Sequence, residues 1–207
     1  VQPNDDFGCD MNDLSDPAID VYDNAMFIIA LDYLLEMAPD SPQASRWKSL
    51  REGIERNVRA HLWDVKRQKF IPHIYPEKSP IPEGFDELAI HYHGGTAIAI
   101  EAGLLSKDEI RTVNAQMLEN VRLSGMPSIG LTLYPVYPDG FFHGGMSKAY
   151  LYQNGGDWTW FGGRMIQQLV VNGMVEEAYA EIHPMIERVI QNDGFYEWSV
   201  SYTHLRA

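Results

Sequence analysis

Cysteine is almost absent from the 207-residue sequence, which contains only Cys9. One thiol excludes an internal disulfide and a zinc site built on several cysteines.

No apolar run approaches the roughly 18–20 residues that span a bilayer, so we expect a soluble protein, either cytoplasmic or periplasmic. Residues 1–6 show no signal peptide and the chain does not begin with Met, so we expect that processing or truncation removed the original start.

Basic residues are also scarce. The chain has 16 Lys and Arg against 29 Asp and Glu, a formal net charge of −13. Nucleic-acid binding needs clustered Lys and Arg to neutralise phosphates, so we expect no nucleic-acid partner. The hydrophobic content of 45% is that of an ordinary globular domain with one sizeable core.

Apolar spacing predicts six helices. A capping box, Ser106 with Glu109 three residues later, marks the start of the fourth helix. Pro184 falls inside the sixth and should kink or divide it. The predicted helices cover approximately residues 18–37, 41–62, 95–101, 106–121, 157–173 and 175–190.

The helices are expected to pair. Tight breaks follow the first, third and fifth helices, at Pro39, Gly103 and Gly173, whereas long connections cover about 63–92 and 125–156. This pattern predicts three helical hairpins in series with long loops on one working face. If the hairpins curve into a ring, the ring needs more hairpins, so we expect missing sequence on both sides.

Aromatic residues crowd between Tyr134 and Phe161. Within this region, 152–164 combines indoles with glycines and polar side chains, a mixture that suits a sugar. Trp158 and Trp160 differ by about 200° around a helix, so they cannot both pack on one neighbour. The alternative is a helix start whose tryptophans belong to the core.

Two other segments are candidates for the site. The loop 134–145 adds aromatic rings, or it is simply a loop anchored by buried rings. His91 and His93 precede the third helix, but no third ligand with suitable spacing is evident, so we predict no metal and a polar lining instead.

Glu197 stands out among many carboxylates. It follows a break at Gly194 and lies between aromatic residues 195–196 and Trp198. A carboxylate among aromatic rings can have a shifted pKa and act as an acid or a base. The alternative is an ordinary exposed loop glutamate.

The runs 152–164 and 193–197, with the hairpin between them, resemble the end of the catalytic domain in six-hairpin (α/α)6-barrel glycosidases. The closest resemblance is to glycoside hydrolase family 63 and its bacterial α-glucosidase-like relatives. Asp23 and Asn24 match a paired Asp-Asn in an inner helix of that family. The fold class implied is an all-α, partial (α/α)6 toroid. Residues 1–200 would form the C-terminal part of the barrel, and 201–207 resemble translated sequencing adaptor, a non-native tail.

The resemblance implies hydrolysis of an α-glycosidic, specifically α-glucosidic, bond with inversion, and Glu197 matches the general base. The family's general acid is an Asp in a segment that this sequence lacks, so we expect it upstream, with Asp6, Asp20 and Asp23 as substitutes, and a chain that is inactive alone. The sequence departs from the family pattern in two ways. Trp198 follows the base where the family has Tyr, and the Pro-rich segment that normally comes next is missing. The predicted residues that contact an oligosaccharide or glycoside are Tyr92, His93, Tyr137, Phe142, His143, Asn154, Gly155, Asp157, Trp158, Trp160 and Arg164.

Two other functions stay open. A sugar epimerase on a similar barrel would use His91, His93 or His143 to move a proton. A non-catalytic helical scaffold would scatter the candidate residues over unrelated surfaces. No cofactor is predicted, and the oligomeric state is left open.

Overall fold

Six helices dominate residues 18–142 and 148–200, the part of the chain that the computed structural model describes. A short 3₁₀ helix, Glu87–Ala89, lies in the first long connection. The helices are α1 (Val21–Met37), α2 (Ala44–His61), α3 (His93–Glu101), α4 (Lys107–Ser124), α5 (Thr159–Val171) and α6 (Val175–Gln191).

The helices form three hairpins arranged in an open arc. Helix α3 packs against α1 on one side and α5 on the other, which makes an inner row of three helices. Helices α2, α4 and α6 lie outside this row, each against the inner helix that precedes it in the chain. The predicted all-α fold, a partial toroid of three hairpins, is confirmed.

Helix α3 lies at the centre of the core. Its residues from His93 to Ile100 are all buried. Gly94 and Gly95 allow the neighbouring inner helices to approach closely. A Cβ on Gly94 would lie 2.7 Å from the ring of Phe161 in α5, and one on Gly95 would lie 2.7 Å from Val21 in α1. The inner row is therefore packed too tightly here for any side chain.

The helix ends mostly follow the local sequence. Asp20 caps α1 by accepting a hydrogen bond from the backbone N–H of Asp23 at 2.9 Å. The predicted capping box at Ser106 and Glu109 is present. Pro184, however, does not divide α6, which is one continuous helix. Packing of the buried Ala178 and Met185 on either side of the proline holds both halves against the core.

Short β-ladders organise the long connections. Each ladder is an antiparallel pair of two-residue strands, and two of them include the residues that immediately precede α3 and α5. The long loops therefore gather where these two inner helices begin. The pairs are β1 (Trp63–Asp64) with β2 (Lys69–Phe70), β3 (His91–Tyr92) with β4 (Leu133–Tyr134), and β5 (Asp157–Trp158) with β6 (Trp198–Ser199).

Both ends of the arc expose apolar side chains. On α6 they follow a helical stripe of Val175, Tyr179, Ile182, Ile186 and Ile190, and on α1 they are Phe27, Tyr33, Leu34 and Met37. Contiguous apolar patches of this kind mark contact surfaces. Within 18–142 and 148–200, no helix combines the length and apolar content that crossing a bilayer requires.

Candidate functional site

An open hollow of about 520 Å³ lies on the loop face, at the start of α5. Its walls come from three parts of the chain that are far apart in sequence: the first turn of α1, the start of α5 and the segment before β6. The lining residues are Tyr22, Gln153, Trp158, Thr159, Trp160, Phe161, Phe195, Tyr196 and Glu197. The structure thus brings the predicted base Glu197 together with both indoles of the predicted sugar site.

Glu197 reaches the hollow because its neighbours are attached to the start of α5. The carbonyl of Tyr196 accepts a hydrogen bond from the Thr159 hydroxyl at 3.3 Å. Trp198 pairs with Trp158 in the β5–β6 ladder. Glu197 lies between these two attachments, and it is solvent-exposed. A carboxylate in this position is accessible to water and to a ligand in the hollow.

Trp160 forms an aromatic wall of the hollow. It is 44% exposed, and its ring packs edge-on against Phe161, with the centroids 4.7 Å apart. The guanidinium of Arg164 lies 5.1 Å from the Trp160 centroid, a cation–π arrangement. Glu101 of α3 pairs with Arg164 at 2.9 Å. Arg164, predicted to bind substrate, therefore supports the indole and is not among the residues that line the hollow.

Trp158 has a different environment from Trp160, as their angular separation predicted. It is only 7% exposed, and its indole N–H donates to the carbonyl of Tyr152 at 3.0 Å. The Tyr152 ring packs against it with the centroids 4.8 Å apart. Trp158 therefore lines the hollow with a small part of its surface and belongs mainly to the packed interior.

Asp157 is fully buried below the hollow. The hydroxyl and the backbone N–H of Ser128 both donate to its carboxylate, with N–H to Oδ2 at 2.8 Å. Arg188 of α6 forms an ion pair with the same carboxylate. Burial raises the pKa of Asp157, and the charge of Arg188 opposes that effect. Asp157, predicted to bind substrate, is instead surrounded by protein groups.

The predicted residues of the second long loop form a separate cluster. Tyr137 and Phe142 are buried with Phe141 in an aromatic cluster, in which Tyr137 stacks on Phe141 and meets Phe142 edge-on. The side-chain amide of Asn154 holds this group in place: it accepts from Tyr137 N–H at 2.9 Å and donates to Tyr137 C=O at 3.1 Å. Gly155 is buried beside it. The predicted residues Tyr137, Phe142, Asn154 and Gly155 do not line the hollow.

The histidine segment lies outside the hollow as well. His93 is 2% exposed, its Nε2 lies 2.9 Å from the Asn120 amide nitrogen, and burial lowers its pKa to about 3. Burial, with the charge of Lys69, lowers the pKa of His91 to about 4. Tyr92 is half-buried and packs against the main core. His143 lies outside the described residues.

No described group of three or more His, Cys, Asp or Glu side chains is arranged to hold a metal ion. Of the substitutes for the general acid, Asp20 and Asp23 lie within the described residues. Asp20 is a buried helix cap, and burial raises its pKa. Asp23 is half-buried in the first turn of α1, and Asp6 lies outside the described residues.

Several lining residues were not predicted. Tyr22 lies in the first turn of α1, outside the aromatic-rich segments of the sequence, and Thr159 lies between Trp158 and Trp160. Phe195 and Tyr196 are 80% and 58% exposed. Their exposure was detectable only indirectly, because two aromatic residues directly after a glycine break do not continue a helical stripe.

Comparisons with protein-family models and with curated proteins give no match. Among solved structures, the chain is similar to a glycoside hydrolase family 63 mannosylglycerate hydrolase from Thermus thermophilus in complex with Tris and D-glycerate, with 17% identity and a TM-score of 0.63. A structure of that hydrolase in complex with Tris gives 14% identity and a TM-score of 0.59. Each match covers 90% of this chain and 41% of the other, so the chain spans about two fifths of their length. The likeness is one of fold: a glycosidase-like helical scaffold.

Proposed function

We propose that this chain forms one side of the active site of an inverting α-glycoside hydrolase, with Glu197 as the general base. One observation carries the proposal: an exposed carboxylate and a half-exposed indole, from distant segments, line the same hollow of about 520 Å³. That volume is in the range of ligand sites. A glycosidase-like scaffold, with its long loops on the same face, supports it.

The proposed chemistry needs a base that faces water. Glu197 removes a proton from a water molecule as the water oxygen bonds to the anomeric carbon. The bond from that carbon to the leaving oxygen breaks on the opposite face, which inverts the configuration. The exposure of Glu197 suits this role, since the attacking water must reach it from solvent.

The second proton transfer needs another carboxyl group, because one carboxylate cannot protonate the leaving group and activate water at once. In an inverting site the two carboxyl groups lie roughly 6.5–9.5 Å apart. We place the acid, an Asp, on further hairpins that cover the apolar faces of α1 and α6 and close the ring. The similar structures are longer than this chain, which covers 41% of each, and that length leaves room for such hairpins. In this proposal residues 1–200 are the C-terminal part of the barrel.

The substrate class follows from the walls of the hollow. A sugar has apolar C–H faces and a hydroxyl rim, so the exposed ring of Trp160 suits its face. The similar structures are of a mannosylglycerate hydrolase, a name that fits a sugar joined to a small acid. For this chain we propose an α-linked hexoside, with glucose as the first candidate.

The test uses a substrate that needs no acid. In an α-glucosyl fluoride, fluoride leaves without protonation, so only the base step remains. We expect Glu197→Gln to slow fluoride release about 10²–10⁴-fold, the usual contribution of a general base, with little change in KM. Azide should restore turnover in Glu197→Ala, because an anion attacks without losing a proton, and the product should be the β-glucosyl azide.

The matched control is Glu176→Gln, which removes another exposed carboxylate, on α6 and not among the residues lining the hollow. Its rate should equal that of the unaltered protein. Fluoride release within about threefold of normal in Glu197→Gln, or no azide product from Glu197→Ala, would exclude Glu197 as the base.

A further inference from the structure

The segment that carries Glu197 has little packing of its own. It borders the hollow of about 520 Å³ described above and a second one of about 510 Å³ between α6 and β6. Tyr196 lines both hollows, and Phe195 is 80% exposed. Trp198 packs its ring edge-on against Tyr152, with the centroids 5.9 Å apart, but residues 195–197 cover little apolar surface. The position of 195–197 therefore depends on specific polar contacts.

The polar contacts of this segment connect it, through Thr159 and Asp157, to the buried guanidinium of Arg188. Arg188 of α6 has a side chain only 9% exposed, and it forms an ion pair with the fully buried Asp157. Its Nη2 donates to the Thr159 hydroxyl at 2.9 Å. Ser128 completes the group through its own hydrogen bonds to Asp157. An ion pair this deeply buried is stabilising only when further hydrogen bonds satisfy its donors and acceptors, and Thr159 and Ser128 supply such bonds here.

The buried group attaches to the Glu197 segment at two points. Thr159 accepts a hydrogen bond from Arg188 and donates its own proton to the carbonyl of Tyr196, one residue before Glu197. Asp157 pairs through β5 with Ser199, two residues after Glu197. The base is thus held from both sides by residues that contact Arg188 directly.

We infer that Arg188 and Thr159 are positioning residues, which fix Glu197 in the hollow through the Tyr196 carbonyl and the β5–β6 ladder. The inference rests on the proposed function for its catalytic consequence. Its structural part, that this group of side chains holds the segment in place, is independent of any activity. A displacement of about 1 Å in a catalytic group can cost up to about 10²-fold in rate, so such a support is significant.

The test removes the hydroxyl link and leaves the ion pair. Thr159→Val keeps the shape of the side chain, but it can neither donate to the Tyr196 carbonyl nor accept from Arg188, while the Arg188–Asp157 ion pair and its bonds to Ser128 remain. We expect amide hydrogen exchange in 195–200 to quicken about five- to tenfold, the effect of one lost hydrogen bond, with exchange in α5 and α6 unchanged. For fluoride release, kcat should fall at least about tenfold with KM nearly constant. Thr159→Ser should restore both values.

Thr112→Val is the matched control. It removes another threonine hydroxyl bonded to a backbone carbonyl, that of Asp108 on the exposed side of α4, and it should alter neither measurement. Unchanged exchange in Thr159→Val would overturn the inference, and so would faster exchange with a normal kcat. Failure of the Glu197→Gln test would reject the proposed hydrolase, whereas the exchange result would still decide whether these side chains hold the segment.

Discussion

Glu181 is a carboxyl group buried between two outer helices, and its removal should stabilise the protein at neutral and alkaline pH. The side chain projects from α6 and is 6% exposed. Its Oε1 accepts a hydrogen bond from the Asn114 amide of α4 at 2.7 Å, whereas Oε2 has no partner within the described residues. Burial raises the pKa of Glu181 from 4.5 to about 7.

The magnitude follows from linkage between proton binding and folding. Below pH 4.5 the carboxyl group is neutral in both states. Between pH 4.5 and about 7 the unfolded chain releases the proton while the folded protein keeps it, so stability falls as pH rises and then levels off. At about 1.4 kcal/mol per pH unit, this interval corresponds to a loss of about 3 kcal/mol.

The experiment is urea unfolding of Glu181→Gln and the unaltered protein at about pH 4 and about pH 8, which lie on either side of this interval. Glutamine keeps the acceptor for Asn114 and carries no charge. We expect the variant to gain about 3 kcal/mol relative to the unaltered protein between the two pH values. Glu187→Gln, an exposed position on the same helix, should differ by less than about 0.5 kcal/mol at either pH. Equal pH dependence for Glu181→Gln and the unaltered protein would refute the reasoning.

Two further substitutions test the hollow and the loop behind it. Trp160→Ala should weaken binding of a methyl α-glucoside about two- to tenfold by calorimetry, taking the loss of one ring contact as about 0.5–1.5 kcal/mol. Trp47→Ala on the outer helix α2 should leave the affinity unchanged, and equal losses in the two variants would count against a sugar site. Asn154→Ala should lower the free energy of unfolding by about 2–3 kcal/mol, since it leaves the buried backbone of Tyr137 unpaired. Asn172→Ala, which removes a single hydrogen bond at a helix end, should cost about 1 kcal/mol or less by the same urea measurement.

The helices were predictable because their signals are local. The capping box at Ser106 and the apolar spacing of α4 lie within a few turns of each other, and the structure follows them. The β5–β6 ladder was not predictable, since Trp158 pairs with Trp198 only after a whole hairpin has folded between them. Pro184 is the opposite case, because a local signal for a helix break lies inside a helix that continues through it.

The candidate site shows where sequence patterns stop being informative. Residue type alone made Asp157 and Glu197 equivalent, but their partners differ. Asp157 meets Ser128 and Arg188, which lie about 30 residues before and after it in the chain, and it is buried as a result. Glu197 extends from a segment with open space beside it. Burial of a polar side chain depends on partners that are distant in sequence, so composition could nominate both residues but could not separate them.

The central position of α3 has a consequence for how the sequence can vary. Every residue from His93 to Ile100 is covered by protein, so this helix offers no neutral position at which substitutions can accumulate. Gly94 and Gly95 are the most restricted, because even a methyl group would collide with a neighbouring helix. Over long divergence the exposed faces of the outer helices can accumulate substitutions, whereas this segment cannot. Distant homologues should therefore be easier to identify by a buried Gly-Gly pair at the start of a short apolar helix than by overall identity.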